Sequence, residues 1–160
     1  MTAKSVFNSP SEIAVRILVI LNAFGAPMDI QQLVYFDYLT LHYGDIDKEY
    51  VSLHPANPFH AVEYVVKRRS IQNGLDLGIS KGLIKVEYSS SLGIRYEASP
   101  ISSLLMEYLE SAYFNSLCNF AEMVCRKFKN FTQSELSGYF REHVGDWKGE
   151  FEKEALFRGE

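Results

Sequence analysis

The sequence predicts a mainly α protein with one small β-hairpin, and three observations carry that expectation. Apolar residues recur at helical spacing through most of the chain. Two short stretches, "LIKVEY" and "IRYEA", instead alternate apolar with polar, and the turn "SSSLG" joins them. At 160 residues, 47% apolar and 22% charged, the chain has an ordinary globular composition. It is long enough to bury roughly two thirds of its unfolded surface.

The elements follow from local signals. Ser9-Pro10-Ser11-Glu12 has capping-box spacing with proline at the first helical position, and Ile13, Ile17, Ile20, Leu21 and Phe24 recur before Gly25. A first helix over 10 to 24 follows. Pro27 marks a turn, Asp29 caps a second helix carrying Leu33, Phe36, Asp37, Leu39 and Tyr43, and Gly44 stops it. The stretch "GDIDKEYVSLHPANP" has two prolines and no apolar period, so a loop over 44 to 58 is expected, and its length leaves two readings open, a partner-contacting segment or a surface excursion with no role.

A third helix spans 59 to 81, with an apolar phase that changes midway. Ile71, Leu75, Ile79 and Gly82 share one face, whereas Val62, Val65 and Val66 point roughly opposite. Either Asn73-Gly74 bends the helix or its halves meet different neighbours. In the hairpin, Leu83, Ile84, Val86, Tyr88, Ile94 and Tyr96 are expected to fix the ribbon to the helical core. Helix resumes at Ser99-Pro100 with Leu104, Leu105, Tyr108 and Leu109 as its stripe. The most apolar helix then carries Phe114, Leu117, Cys118, Ala121, Val124, Cys125 and Phe128. Thr132 and Glu135 repeat the capping-box spacing for a helix to about His143, and Trp147 with Phe151 can anchor a last turn.

Three helices followed by a hairpin and more helix is the order of a winged helix-turn-helix with a C-terminal helical extension. The division expected is 1–99 for the winged helix and 100–160 for an extension packed on it. Such a fold can read DNA through its third helix and wing. The charges argue against that. The chain carries −4 net; residues 59 to 96 are +3 and the remainder −7. The solvent face of the third helix offers Arg69, Asn73, Asp76 and Ser80, and the wing turn has no basic residue. A protein-binding module is favoured. A DNA-binding regulator, contacting phosphates through Lys67, Arg68, Arg69 and Lys81, is the alternative, and a small toxin or antitoxin a third.

Chemistry has little support in the motifs. His42, His54, His60 and His143 lack metal-ligand spacing, and there is no P-loop, G-x-S-x-G or G-x-G-x-x-G. Cys118 and Cys125 lie on the apolar stripe as reduced core thiols. No catalytic residue, metal or cofactor is expected. The N-terminal stretch lacks the order of a signal peptide and no apolar run reaches about twenty residues, so a cytoplasmic protein without a membrane span is expected.

Several stretches together resemble a known family. These are "RILVILNAFGAPMDIQQLVYFDYLTLHYGDI" with Asp37 at its centre, "SLHP" with His54 and Pro55, the pair Arg68-Arg69, and the wing from "GLI" to "GIRYEA". Over residues 13 to 110 the chain resembles the middle component of bacterial ABC three-component systems, including the small accessory subunit of Lamassu antiphage systems. The resemblance implies a noncatalytic winged-helix adaptor that joins an SMC-like ATPase to an effector, often a nuclease, with DNA engaged through the complex. Partner contacts are expected at Asp45, His54, Arg68, Arg69, Trp147 and Phe151, and along residues 45–58 and 145–160. The final fifty residues carry no such likeness.

Overall fold

The computed structural model describes residues 9–54 and 60–143, with side chains for 9–54 and 66–142. Its helices and hairpin run in the expected order, mainly α with a two-stranded antiparallel ribbon. Helix α1 spans Pro10–Phe24, with the Ser9 hydroxyl accepting from the Glu12 N–H at 3.2 Å. Gly25 closes it in the left-handed region at φ 64°, donating to the Leu21 carbonyl. Helix α2, Ile30–Leu41, starts with a full capping box. The Asp29 carboxylate accepts from the Gln32 N–H, while the Gln32 side chain accepts from the Asp29 N–H.

Beyond α2 the chain makes a 3-10 turn, Tyr43–Asp45, rather than stopping at Gly44. A Cβ on Gly44 would lie 2.7 Å from the Ser52 hydroxyl and 2.8 Å from the Tyr50 carbonyl, so glycine there lets the following loop fold back. The loop is held by the Gly44 N–H on Ser52, the His54 N–H on the Leu41 carbonyl, and Tyr50 against Tyr43 and Phe120.

Helix α3, His60–Ser80, is continuous through Asn73-Gly74. Gly74 permits close crossing rather than a break: a Cβ there would lie 2.6 Å from Ile13 Cγ2 and 3.2 Å from the Ala14 nitrogen. Ile71 and Leu75 are fully buried and Val66 is exposed, while the side chains of Val62 and Val65 lie outside the described residues.

Strands β1, Ile84–Ser89, and β2, Gly93–Ala98, pair Ile84 with Ala98 and Val86 with Tyr96. Gly93, at φ 75°, takes the left-handed position that closes the three-residue turn. Ile84 and Tyr96 reach the core, but Tyr88 and Ile94 do not, which corrects the expectation that the whole alternating set anchors the ribbon. The hairpin is longer than the core beneath it.

Helix α4, Ser102–Glu107, starts later than Ser99-Pro100 predicts. Ser99 instead donates its N–H to the Leu83 carbonyl at the hairpin base, and its own carbonyl receives the Ser102 hydroxyl, so a turn precedes the helix. Of the expected stripe, Leu104 and Tyr108 are exposed. Helix α5, Ala112–Phe128, buries Phe114, Leu117, Ala121, Val124 and Phe128. Cys118 and Cys125 are free and half-buried at the border of that stripe rather than in the core, with burial the leading cause of their raised thiol pKa values. Helix α6, Gln133–His143, has the expected reciprocal cap between Thr132 and Glu135.

Among the described residues the larger of two buried clusters runs through both halves of the chain, and a smaller one joins Val19 and Leu41 to Phe114, Leu117 and Ala121. Phe128, Leu136 and Phe140 belong to the larger cluster, with Ile17, Leu33, Tyr35, Ile71 and Ile84. Each such side chain contributes roughly 1.5–3 kcal/mol by leaving water.

Candidate functional site

The least ordinary feature of the interior is a cluster of charges. Arg16 stands on α1 in phase with Ile13, Ile17 and Ile20, and Asp37 lies in the middle of the apolar run of α2. Lys67 precedes Ile71 and Leu75 by four and eight residues, so helical phase turns it toward the core. The three meet. Arg16 Nε donates to Asp37 Oδ1 at 2.8 Å and its terminal nitrogen to Oδ2 at 3.2 Å, while Lys67 Nζ donates to Oδ2 at 2.8 Å. Their side chains are 3%, 1% and 10% exposed for Arg16, Asp37 and Lys67.

Burial by itself would raise the Asp37 carboxyl. The charges of Arg16 and Lys67, with their hydrogen bonds, outweigh it and hold the group far below the usual carboxylate range. Asp37 is therefore a fixed anion that ties α1, α2 and α3 together. It lies inside the helical packing and accepts from both cations, an arrangement suited to positioning helices rather than to transferring protons.

His54 extends the cluster toward α5. Its Nε2 and the Tyr113 hydroxyl are 2.9 Å apart, and Arg16 also hydrogen-bonds Tyr113. Burial, then the nearby Arg16 and Lys67 charges, lower the imidazole pKa from 6.5 to about 4. The sign follows. Between those values the folded ring stays neutral while the unfolded ring takes a proton, so stability falls as pH drops from 6.5 to about 4. The thermal midpoint is expected to decline across that window, and His54→Asn should flatten the decline.

The other residues singled out by sequence are spread apart. Asp45 accepts from the Tyr38 hydroxyl at 3.0 Å, while His54 pairs with Tyr113. Arg69 and Lys81 are exposed and Arg68 is half-exposed. The basic run is split, because Lys67 is turned inward; as a phosphate contact it would first have to leave Asp37. Trp147 and Phe151, with 55–58 of the loop and 145–160, lie outside the described residues. Arg16 and Tyr113 were missed by motif reading, although an arginine within an apolar helix stripe is itself a signal of a buried partner.

The solvent face of α3 is Val66, Arg69, Asn73, Asp76 and Ser80, with one cation against one carboxylate, and Asp76 accepts from Gln72. Apolar groups are exposed elsewhere: Tyr88, Leu92 and Ile94 at the hairpin tip, and Ile101, Leu104 and Tyr108 around α4. A cleft of about 610 Å³ between the start of α1 and the α4–α5 junction is lined by Val15, Tyr108, Leu109, Tyr113 and Phe114, with Glu12 at its side. Among the described residues no group of three or more histidines, cysteines and carboxylates could hold a metal ion, and no helix is long and apolar enough to cross a membrane.

The molecule thus falls in a class of mainly α proteins with a β-hairpin, whose interior charges lock three helices together while apolar side chains stand on the outside. The family is more specific. The sequence model described as ABC-three component (ABC-3C) system Middle Component 2 matches residues 6–150, and the chain belongs to that family. No curated protein and no solved structure matches it.

Proposed function

We propose that the chain is a noncatalytic winged-helix adaptor subunit of a bacterial defence complex of the Lamassu kind, joining an SMC-like ATPase to an effector such as a nuclease. The observation that carries this reading is membership of the middle-component family across residues 6–150. The near-neutral face of α3 and the uncharged wing turn support protein contact over direct DNA readout, since phosphate neutralisation supplies most nonspecific DNA affinity. Exposed apolar side chains at the hairpin tip and α4 supply the kind of surface that partner subunits cover. Such a complex acts in the cytoplasm, with DNA reached through its other subunits.

Co-expression with the neighbouring genes tests this. A tagged chain should carry an SMC-like ATPase through purification at low salt, and recovery of the chain alone overturns the adaptor reading. The double variant Arg68→Ala and Arg69→Ala is expected to reduce partner recovery about tenfold or more, the effect of removing an interface hot spot. Unchanged recovery would make the pair ordinary surface charges. Duplex DNA binding by the isolated chain, falling steeply with salt, would favour the regulator instead.

A further inference from the structure

The outer backbone edge of the hairpin carries no bond from another described segment at Val86 and Tyr88, whereas Ile84 at its base is buried against α3. Tyr96 exchanges both backbone hydrogen bonds with Met28, at 2.7 and 2.9 Å, so its N–H and carbonyl point away from β1. Val86 stands opposite Tyr96. In an antiparallel ladder, residues alternate between exchanging bonds with the partner strand and pointing away from it. Lys85 and Glu87 therefore bond across to β2, and the N–H and carbonyl groups of Ile84, Val86 and Tyr88 point out of the hairpin. Among the described residues, no backbone group of another segment bonds to Val86 or Tyr88 on that side.

An open edge of this kind is a template for another strand, and natural proteins guard it with charge. Here the exposed charges alternate in sign, Lys85 then Glu87 around Val86. We propose that β1 pairs antiparallel with β1 of a second copy of this chain, Val86 opposite Val86 on the two-fold axis, giving a four-stranded sheet. That register sets Lys85 of each copy against Glu87 of the other, two opposite-charge pairs, and Ile84 against Tyr88. Registers centred on Lys85 or on Glu87 would set lysine against lysine or glutamate against glutamate, which is destabilising for residues directly opposite. The strand is thus complementary to itself in one register, as a two-fold interface requires.

The side chains agree with the backbone. Ile84, Val86 and Tyr88 share one face of the strand by alternation. Tyr88 is 78% exposed in the single chain because it overhangs its own core. Across the two-fold axis it comes to lie beside the partner's Ile84, at the base of that hairpin. Five residues per copy make a small interface, well under the roughly 800 Å² per partner of stable complexes, so association in the micromolar range or weaker is expected. This inference is independent of the adaptor reading; where both hold, the complex contains two copies of the chain.

Sedimentation equilibrium of the full chain over increasing concentration should show mass rising from 18.3 kDa toward twice that value. Lys85→Glu alone and Glu87→Lys alone should each weaken self-association at least tenfold. Mixing the two variants should restore it, because each then presents the charges the other needs. The pairs that these residues make within the hairpin, Lys85 with Glu97 and Glu87 with Arg95, are altered equally before and after mixing. Recovery on mixing therefore reports contacts between chains. Val86→Pro, which removes an outward donor and leaves the bonds to β2, should abolish association while thermal unfolding stays cooperative. A wild-type chain that is monomeric throughout overturns the proposal, as does a mixture no stronger than either variant. Slowed exchange of the Val86 and Tyr88 amides only when a co-purifying subunit is added would also overturn it, assigning the edge to a strand of that subunit.

Discussion

Asp37→Asn is expected to lower the unfolding free energy by about 3–5 kcal/mol, the cost of leaving buried charge without its partner. Asparagine keeps the shape of the side chain and removes its charge. Arg16 and Lys67 would then face each other inside the helical packing with no anion between them. Natural domains have about 5–15 kcal/mol in total, so the variant should lose a large share of its stability and unfold at markedly lower denaturant. Denaturant titration measures this directly. The contrasting variant replaces all three at once, Arg16→Met, Asp37→Leu and Lys67→Met. Apolar replacements of buried ion networks are often neutral or stabilising, so this chain should remain folded. Comparable losses in both variants would mean that packing volume, not charge, explains the site.

Phe128→Ala is expected to cost about 3–5 kcal/mol, the range for truncating a buried phenylalanine. Phe128 is 1% exposed, contacts Phe131 and Tyr139 edge-on, and belongs to the cluster that includes Ile17 and Leu33. The loss should appear as a single cooperative transition shifted to lower denaturant, with α1 and α5 reporters moving together. A second, separate transition for the C-terminal helices would show that residues beyond 99 form an independent unit.

What the sequence made legible was what short range decides. The caps at Ser9, Asp29 and Thr132 engage partners three residues away, so spacing alone reveals them. The hairpin was equally readable from its alternation and its glycine. Ser99-Pro100 misled because the local cap signal competed with a bond from Ser99 to Leu83 in the hairpin. The central charge cluster needs pairings 21 and 30 residues apart, which no motif records. Within "KRR", only the helical phase shared with Ile71 and Leu75 separates Lys67 from Arg69, and grouping the three as one basic run concealed it. The inward pairing of His54 is illegible for a similar reason: its partner, Tyr113, is 59 residues away.

The Asp29 carboxylate has two roles: one oxygen caps α2, and the other accepts from Gln133, 104 residues later, at the start of α6. Together with Leu136 and Phe140 in the core, this makes the start of the fold depend on its end. On the ribosome, α1 and α2 emerge first and wait for those residues. At roughly 5–20 residues per second, the interval is about 5–20 s for each chain. During it the apolar faces of Ile17, Leu33 and Tyr35 have no cover from α5 and α6. The nascent protein therefore passes through an aggregation-sensitive interval whose length is set by translation speed, and slower synthesis prolongs it.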